Sequence, residues 1–386
     1  MKILMLAPEP FFQPRGTPFS EYFRIKALSD LDHRIDLVTY HLGEDIKLKN
    51  LKILRIPNLF LIKNIKIGPS WTKIPLDFLL LLKAVFQLIR KEYDLIFSHE
   101  EAALLGVILA KIWRLPHIYD MHSSLPQQLE NFNFSRSKLL KAVFLWLEKF
   151  ILKNSQTIIV ICFDLSQKVT KRGYGSKTIL IENFINFKGK DFSEEQVKKK
   201  RKEFASRGEK IILYTGNFQP YQGISLLLEA AAKIEEKAVF LLVGGESIEI
   251  KKSKQKAKAL KIADRVIFTG RVAPPLIPLF ISLADVLVSP RISGTNTPLK
   301  IYSFMKSGKP IVATNLWTHT QVLNPENSVL VKPDPQSLAD GITFALFKEE
   351  ARKRARKCKE LANREYIYSR YLEKINQSLQ MARKTS

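Results

Sequence analysis

Apolar residues along this chain fall into two kinds of segment. Short continuous runs, such as "KILMLA" (2–7), "RIDLVTY" (34–40), "LKILRIP" (51–57), "YDLIFSH" (93–99), "HIYDMHS" (117–123) and "TIIVICF" (157–163), are bounded by Gly, Pro or charge. Between them lie stretches with apolar residues every three or four positions: "EYFRIKALSD", residues 75–91, "AALLGVILAKIW" and "SKLLKAVFLWLEKFILKN". The first kind predicts buried strands and the second amphipathic helices. Their alternation predicts a parallel sheet covered on both faces. A second series begins at "KIILYTGNF" and runs through a helix at 224–236, "AVFLLVGG", a helix near 250–262, "RVIFTGRV", a helix through "PLFISLA" and "DVLVSPR". It continues with "PIVATNL", "SVLVKPD" and the helix "PQSLADGITFALF", and two helical stretches near 350–364 and 366–383 close the chain.

At 386 residues the chain exceeds what one core usually supports, so two domains are expected. The polar, Gly-containing segment "ENFINFKGKDF" (182–192) predicts the linker. The expected division is 1–185, 186–365 and a closing helix, 366–386, packing back toward the N-terminal domain. In parallel sheets ligands bind beyond the carboxyl ends of strands. Those ends carry Gly16 and Thr17, His99 to Glu101, His122 and Ser123, Asn217 to Gly223, Gly244 to Glu246, and Arg291 to Thr297. Two sheets facing each other would gather these in an interdomain cleft.

One segment, "PRISGTNTPLKIYSFMKSGKPIVAT", raises a chemical question. A polar loop that opens a helix commonly holds an anion. Lys300 nevertheless sits in the first turn, where the helix dipole disfavours a cation. A bound diphosphate would account for it, with Thr295, Asn296 and Thr297 ahead of the helix and its N–H groups free to donate.

Net charge changes the picture further. It is +25, split as +9 on residues 1–185 and +16 on the rest, and it points to an acidic partner. The basic runs "KKKRKEF" and "KKSKQKAKALK" lack interleaved aromatics, which disfavours nucleic acid. Two cysteines make neither a disulfide framework nor a zinc site. No His-Glu-x-x-His motif is present, and no metal is expected. The first apolar run is too short for a signal peptide. The longest, "IPLDFLLLLKAVFQLI", is broken by Asp77 and Lys83, short of a membrane span. Helices 75–91 and 137–153 combine apolar residues with lysines and could lie on anionic lipid. A cytoplasmic protein with peripheral contact at the inner membrane face is the expectation.

The segments "LYTGNFQPYQGISLLLEAAAKI", "VFLLVGG", "DRVIFTGRV" and "ADVLVSPRISGTNTPLKIYSFMKSGKPIVAT", with "DLIFSHEEAALLG" and "PHIYDMHSS" upstream, resemble glycosyltransferase family 4 in order and spacing. The resemblance covers nearly the whole chain. It implies the GT-B fold: α/β, two Rossmann-like doubly wound domains facing a cleft, with the acceptor bound by the first and a nucleotide-sugar donor by the second. It also implies a retaining, metal-independent transferase needing no cofactor beyond that donor. The acceptor would be a glycan or lipid-linked molecule, in cell-surface polysaccharide synthesis. Carried over by position, His122 faces the donor sugar as the catalytic group. Gly16 and Thr17 match first-loop residues near phosphate and acceptor, with Arg15 beside them for an anionic acceptor and Glu100 as an acceptor-side carboxylate. Gly223, Gly245, Arg291, Thr295, Asn296, Thr297 and Lys300 serve the donor.

The match departs at four places. Glutamates common in the family are Thr295 and Ser303 here, and its phosphate-gripping Arg and Lys are Asn217 and Gln222. Two readings follow. In a divergent active branch, Ser303, Asn217 and Gln222 still hydrogen-bond the donor, and Lys300 with Arg291 restores the charge. Alternatively the chain is a non-catalytic, nucleotide-sugar-binding partner of another transferase. The first is favoured, because glycines, polar residues and new cations persist in these loops.

Overall fold

The computed structural model describes residues 1–13, 16–59, 62–63, 65, 70–127, 137–184 and 192–384. Arg15 lies outside them. The chain divides into two compact units, residues 1–184 with 368–386, and residues 185–367.

In the first unit the described residues form a seven-stranded parallel sheet of order β3-β2-β1-β4-β5-β6-β7. The strands are β1 (Lys2–Ala7), β2 (Arg34–Thr39), β3 (Leu51–Arg55), β4 (Leu95–His99), β5 (His117–Met121), β6 (Thr157–Val160) and β7 (Thr178–Leu180). Helices α1 (Gly16–Asp30), α2 (Lys73–Arg90), α3 (Ala102–Trp113), α4 (Lys138–Asn154) and α5 (Phe163–Lys171) connect them. The central strands β1, β4, β5 and β6 are buried almost throughout. That is why they read as continuous apolar runs rather than alternating ones.

The second unit starts with α6 (Glu194–Phe204), opened by a capping box between Ser193 and Gln196. Its six-stranded parallel sheet has the order β10-β9-β8-β11-β12-β13. The strands are β8 (Lys210–Thr215), β9 (Ala238–Val243), β10 (Val266–Gly270), β11 (Val286–Ser289), β12 (Ile311–Thr314) and β13 (Val329–Val331). Helices α7 (Ile224–Ala231), α8 (Ser247–Ala259), α9 (Ile277–Leu283), α10 (Leu299–Ser307), α11 (Trp317–Thr320), α12 (Pro335–Phe347) and α13 (Glu349–Glu365) complete it. The last helix, α14 (Tyr368–Lys384), belongs to the first unit and packs on α1, β5 and β6.

Each sheet reverses its strand order once, between β1 and β4 and between β8 and β11. At such a switch point the two connections leave toward opposite faces and open a crevice beyond the carboxyl ends.

Two expectations need correction. Gly16 and Thr17 are not in a loop: α1 begins at Gly16, and Pro18 is tolerated because the first turn needs no N–H from it. The α7 helix stops at Ala231, short of 236. On α2, Arg90 is exposed. Gln87 is buried and Lys83 half-buried, while Ile74, Phe78, Leu82, Phe86 and Ile89 are exposed. Gln87 packs by Tyr93, whose hydroxyl donates to Asp36 at 2.7 Å, so local polar partners draw the amide inward.

Candidate functional site

In the second unit the switch point brings together Gly216, just beyond β8, and Arg291, two residues beyond β11. Gly216 has φ 137°, and a Cβ there would lie 3.1 Å from the Lys300 ammonium nitrogen. Gly223 is more tightly constrained: φ is 74°, and a Cβ would fall 1.8 Å from the Pro290 carbonyl oxygen. Only glycine lets these two loops approach so closely.

Lys300 is the second residue of α10, whose first turn has Pro298 as N-cap and no side-chain cap. Its Nζ lies 3.4 Å from Gln222 Oε1 and 3.7 Å from the centroid of the Tyr214 ring. Arg291 reaches the same Gln222 oxygen at 3.5 Å and donates from NH1 to the Asn296 carbonyl and Thr318 Oγ1, both at 3.0 Å. The Tyr221 ring lies 5.3 Å from its guanidinium carbon. Among the described residues neither cation has a carboxylate within ion-pair distance. Burial, and then Arg291, push the Lys300 pKa well below its ordinary value. Burial also lowers that of Arg291. A ring face and an amide oxygen compensate a buried ammonium poorly.

The other donor-side residues take distinct places. The Thr295 carbonyl accepts from Gln321 Nε2 at 2.5 Å, and the Asn296 carbonyl accepts from Thr318 Oγ1 at 2.6 Å. These bonds hold the loop; they do not cap α10. Thr297 is buried. Ser303 is half-buried one turn beyond Lys300, on the same helix side. Asn217 is exposed, and its side chain accepts from Gln219 N at 3.3 Å. Gly245 packs under the Phe218 ring in the turn after β9. His319 is neutral structural support: burial drops its pKa to about 3, between Ser289 and Thr314.

The first unit's switch point holds a different chemistry. His99 ends β4 and is in register with Asp120 on β5. His122 follows β5, two residues from Asp120 and therefore on the same face. His122 Nε2 lies 3.2 Å and His99 Nδ1 3.3 Å from Asp120 Oδ2. Arg24, on α1, donates from Nε to the same oxygen at 2.9 Å. All four are buried. Burial alone would raise the Asp120 pKa; Arg24, then His122, hold it well below the carboxylate range. For His122, burial opposes the charge but Asp120 outweighs it, and the pKa is raised. Burial keeps His99 low.

Glu100 is not a surface carboxylate. It is buried, has φ 46°, and accepts from Ser123 Oγ at 3.0 Å. Burial pushes its pKa up to about 8 despite His122. Thr17 is half-buried in the first turn of α1. Glu9, beyond β1, faces Glu21 on α1. Burial raises both, and repulsion from Glu9 carries Glu21 well above its ordinary value.

His99, Asp120 and His122 offer ligand atoms within 4.8 Å of one another. Motif spacing could not reveal this trio, because two strands build it. Arg24 argues against a metal there, since the trio's one carboxylate is already shared with a buried guanidinium. Glu9, Glu21, Arg24, Asp120 and Tyr214 escaped the sequence reading. Polar residues at 21 and 24 inside an apolar helix, and at 120 and 122 on one strand face, were the available signals.

Two family models match the chain, one on each unit: "Glycosyltransferase Family 4" over residues 24–188 and "Glycosyl transferases group 1" over 195–362. An alpha-monoglucosyldiacylglycerol synthase of Streptococcus pneumoniae is 27% identical over 238 residues, 58% of this chain and 53% of that protein. A phosphatidyl-myo-inositol mannosyltransferase of Mycobacterium leprae is 24% identical over 273 residues, 69% of this chain and 68% of that one. The chain thus spans about half to two thirds of the length of these curated relatives. Anabaena HepE in complex with UDP has the same fold, with a TM-score of 0.76 at 19% identity, covering all of both chains. WaaG, a glycosyltransferase involved in lipopolysaccharide biosynthesis, superposes with a TM-score of 0.71 at 12% identity, covering 97% of this chain and 98% of that one. With a glycosyltransferase family model matched on each doubly wound unit, the chain belongs to the family-4 glycosyltransferases of GT-B fold.

Proposed function

We propose that this protein transfers a sugar from a nucleoside-diphosphate sugar to a lipid-linked or glycan acceptor, with retention of configuration and without a metal. One observation carries the donor half. Lys300 and Arg291 converge on Gln222 beside Gly216, half-buried and without a carboxylate. Leaving-group charge develops on a diphosphate, and preorganised cations are what stabilise it. Asn217, Gln222, Thr295 and Ser303, although altered from the usual residue types, retain hydrogen-bonding capacity around that charge. His122, held against Asp120, supplies the polar group toward the sugar, with Glu100, Thr17 and Arg15 on the acceptor side.

The acceptor reading draws on the relatives, whose names specify a monoglucosyldiacylglycerol and phosphatidyl-myo-inositol. The surface supports it. Among the described residues no helix is long and apolar enough to cross a membrane. Yet α2 exposes Ile74, Phe78, Leu82, Phe86 and Ile89, α3 exposes Ile108 and Ile112, and α4 exposes Leu139, Val143 and Trp146. Lys138, Lys141 and Lys149 stand exposed beside them on α4. Such a face fits the surface of an anionic bilayer. Binding to anionic vesicles that weakens with added salt is expected. Equal sedimentation with neutral and anionic vesicles would remove this part.

A thermal-shift panel of UDP-, GDP- and ADP-sugars, followed by assay of nucleotide release in EDTA, tests the whole. One donor class should raise the melting temperature and be turned over in chelator. Binding without any transfer or hydrolysis would turn the reading to a non-catalytic partner. Recovery only on adding magnesium or manganese would reject the metal-free site.

A further inference from the structure

The buried Arg24 guanidinium has three separate anchors. Nε donates to Asp120 at 2.9 Å, NH2 to the Ile181 carbonyl at 2.9 Å, and NH1 to the Tyr371 hydroxyl at 2.8 Å. Tyr371 lies on α14, nearly 250 residues along the chain from His122, in a helix with no strand end of its own. Its ring stacks among Phe184 and Tyr368, with centroids 5.6 and 6.2 Å away. The ring therefore packs, while the hydroxyl does something packing does not require: it accepts from the cation that fixes Asp120.

We propose that Tyr371 is a positioning residue for His122, acting through Arg24 and Asp120. The hydroxyl fixes the guanidinium, the guanidinium fixes one carboxylate oxygen, and that oxygen sets the orientation and charge of the imidazole. A guanidinium is a planar fork, so losing one tine's partner frees the plane to rotate and moves the others. The groups facing His122 are few and come from every neighbouring element. They are Asp120 on β5, Glu100 after β4, His99 on β4, Arg24 on α1 and Glu9 after β1. Asp120 is the nearest charge, so its placement dominates. Asp120 favours the imidazolium, and a loosened Asp120 lowers the midpoint at which His122 loses its proton. The closing helix is thus part of the apparatus that sets His122. The catalytic consequence rests on the proposed transfer; the electrostatic one does not.

Two complementary variants separate acceptor from ring. Tyr371→Phe keeps the ring and removes the oxygen; Tyr371→Gln removes the ring and keeps an acceptor. Tyr368→Phe is the control, because its hydroxyl donates to Asp30 and has no link to Asp120. His122 is followed by histidine NMR titration, assigned by its loss in His122→Gln, with melting temperature and steady-state rates alongside. In Tyr371→Phe the His122 midpoint should fall by about one pH unit, and turnover about ten-fold with donor KM little changed. The limb of the pH–rate profile set by His122 should move to lower pH with it. Tyr371→Gln should lose melting temperature but keep the midpoint near wild type, and Tyr368→Phe should keep both. A midpoint that follows the ring instead of the acceptor overturns the proposal. So does an unchanged midpoint in Tyr371→Phe, or failure of both variants to fold. A shifted midpoint in a protein with no transferase activity would uphold the link and sink the proposed transfer.

Discussion

The two switch points are built on the same topology and carry opposite electrostatics. Beyond β1 and β4 lie three buried acids, the half-buried Glu9, two histidines and one arginine: Arg24 pairs with Asp120, Asp120 lies beside both imidazoles, and Glu9 faces Glu21. Beyond β8 and β11 lie two cations that, among the described residues, are held by an amide oxygen, a carbonyl, a hydroxyl and ring faces. In the first cluster Arg24 neutralises Asp120. The second leaves positive charge unbalanced in a poorly solvated place, a cost that a bound anion removes. The lesson is directional. Mutation in the first unit should cost stability and turnover. Mutation at the second unit's cations should cost ligand affinity while relieving the free protein.

The largest expected effect is at His122. His122→Ala should lower turnover about 10²–10⁴-fold while leaving nucleotide affinity nearly intact. Calorimetry for binding and nucleotide release for turnover read the two halves separately. Wild-type turnover in the variant would make His122 a packing residue and dissolve the contrast.

Next comes Arg24. Arg24→Met leaves Asp120 buried with a neutral neighbour, and breaking such a pair costs about 3–5 kcal/mol. Urea denaturation should show it. A loss under about 1 kcal/mol would mean that the histidines alone satisfy Asp120.

Lys300→Met should do the reverse. Nucleoside diphosphate affinity should fall about ten- to hundred-fold, the scale of a charge-assisted hydrogen bond. Bare nucleoside binding should hardly change, and the unliganded variant should be at least as stable as wild type. Destabilisation of the free protein, or equal loss for both ligands, would show that Lys300 holds structure.

The smallest effect sharpens the same point by pH. Burial and Arg291 depress the Lys300 pKa in the free protein, and a bound diphosphate raises it. A group whose pKa rises on binding takes up protons, so binding should absorb up to about one proton between the free and bound pKa values. Affinity should therefore grow as pH falls through that window. Calorimetry in buffers of different ionisation enthalpy measures the uptake; none at any pH would mean Lys300 is already charged without ligand.

Much of this was written in local pattern. Continuous apolar runs predicted the central strands, and their carboxyl ends pointed to Gly16, His99, Glu100, His122, Asn217, Arg291 and the loop before α10. Lys300 was conspicuous because a cation in a first helical turn contradicts the dipole, and a local conflict of that kind often marks function.

What the sequence by itself determined is whatever depends on neighbours a few residues apart: strand and helix periods, glycine-bearing loops, and the family. Tertiary structure alone decided the contacts between distant segments. Strand order put β1 beside β4 and β8 beside β11, and so set Gly216 against Lys300. It brought Arg24 from α1 onto Asp120 from β5, buried Glu100, paired Glu9 with Glu21, and returned Tyr371 from the last helix to the Arg24 guanidinium. The physical reason is that a side chain's charge state and partners are set by burial and by whichever groups the fold delivers within a few ångströms.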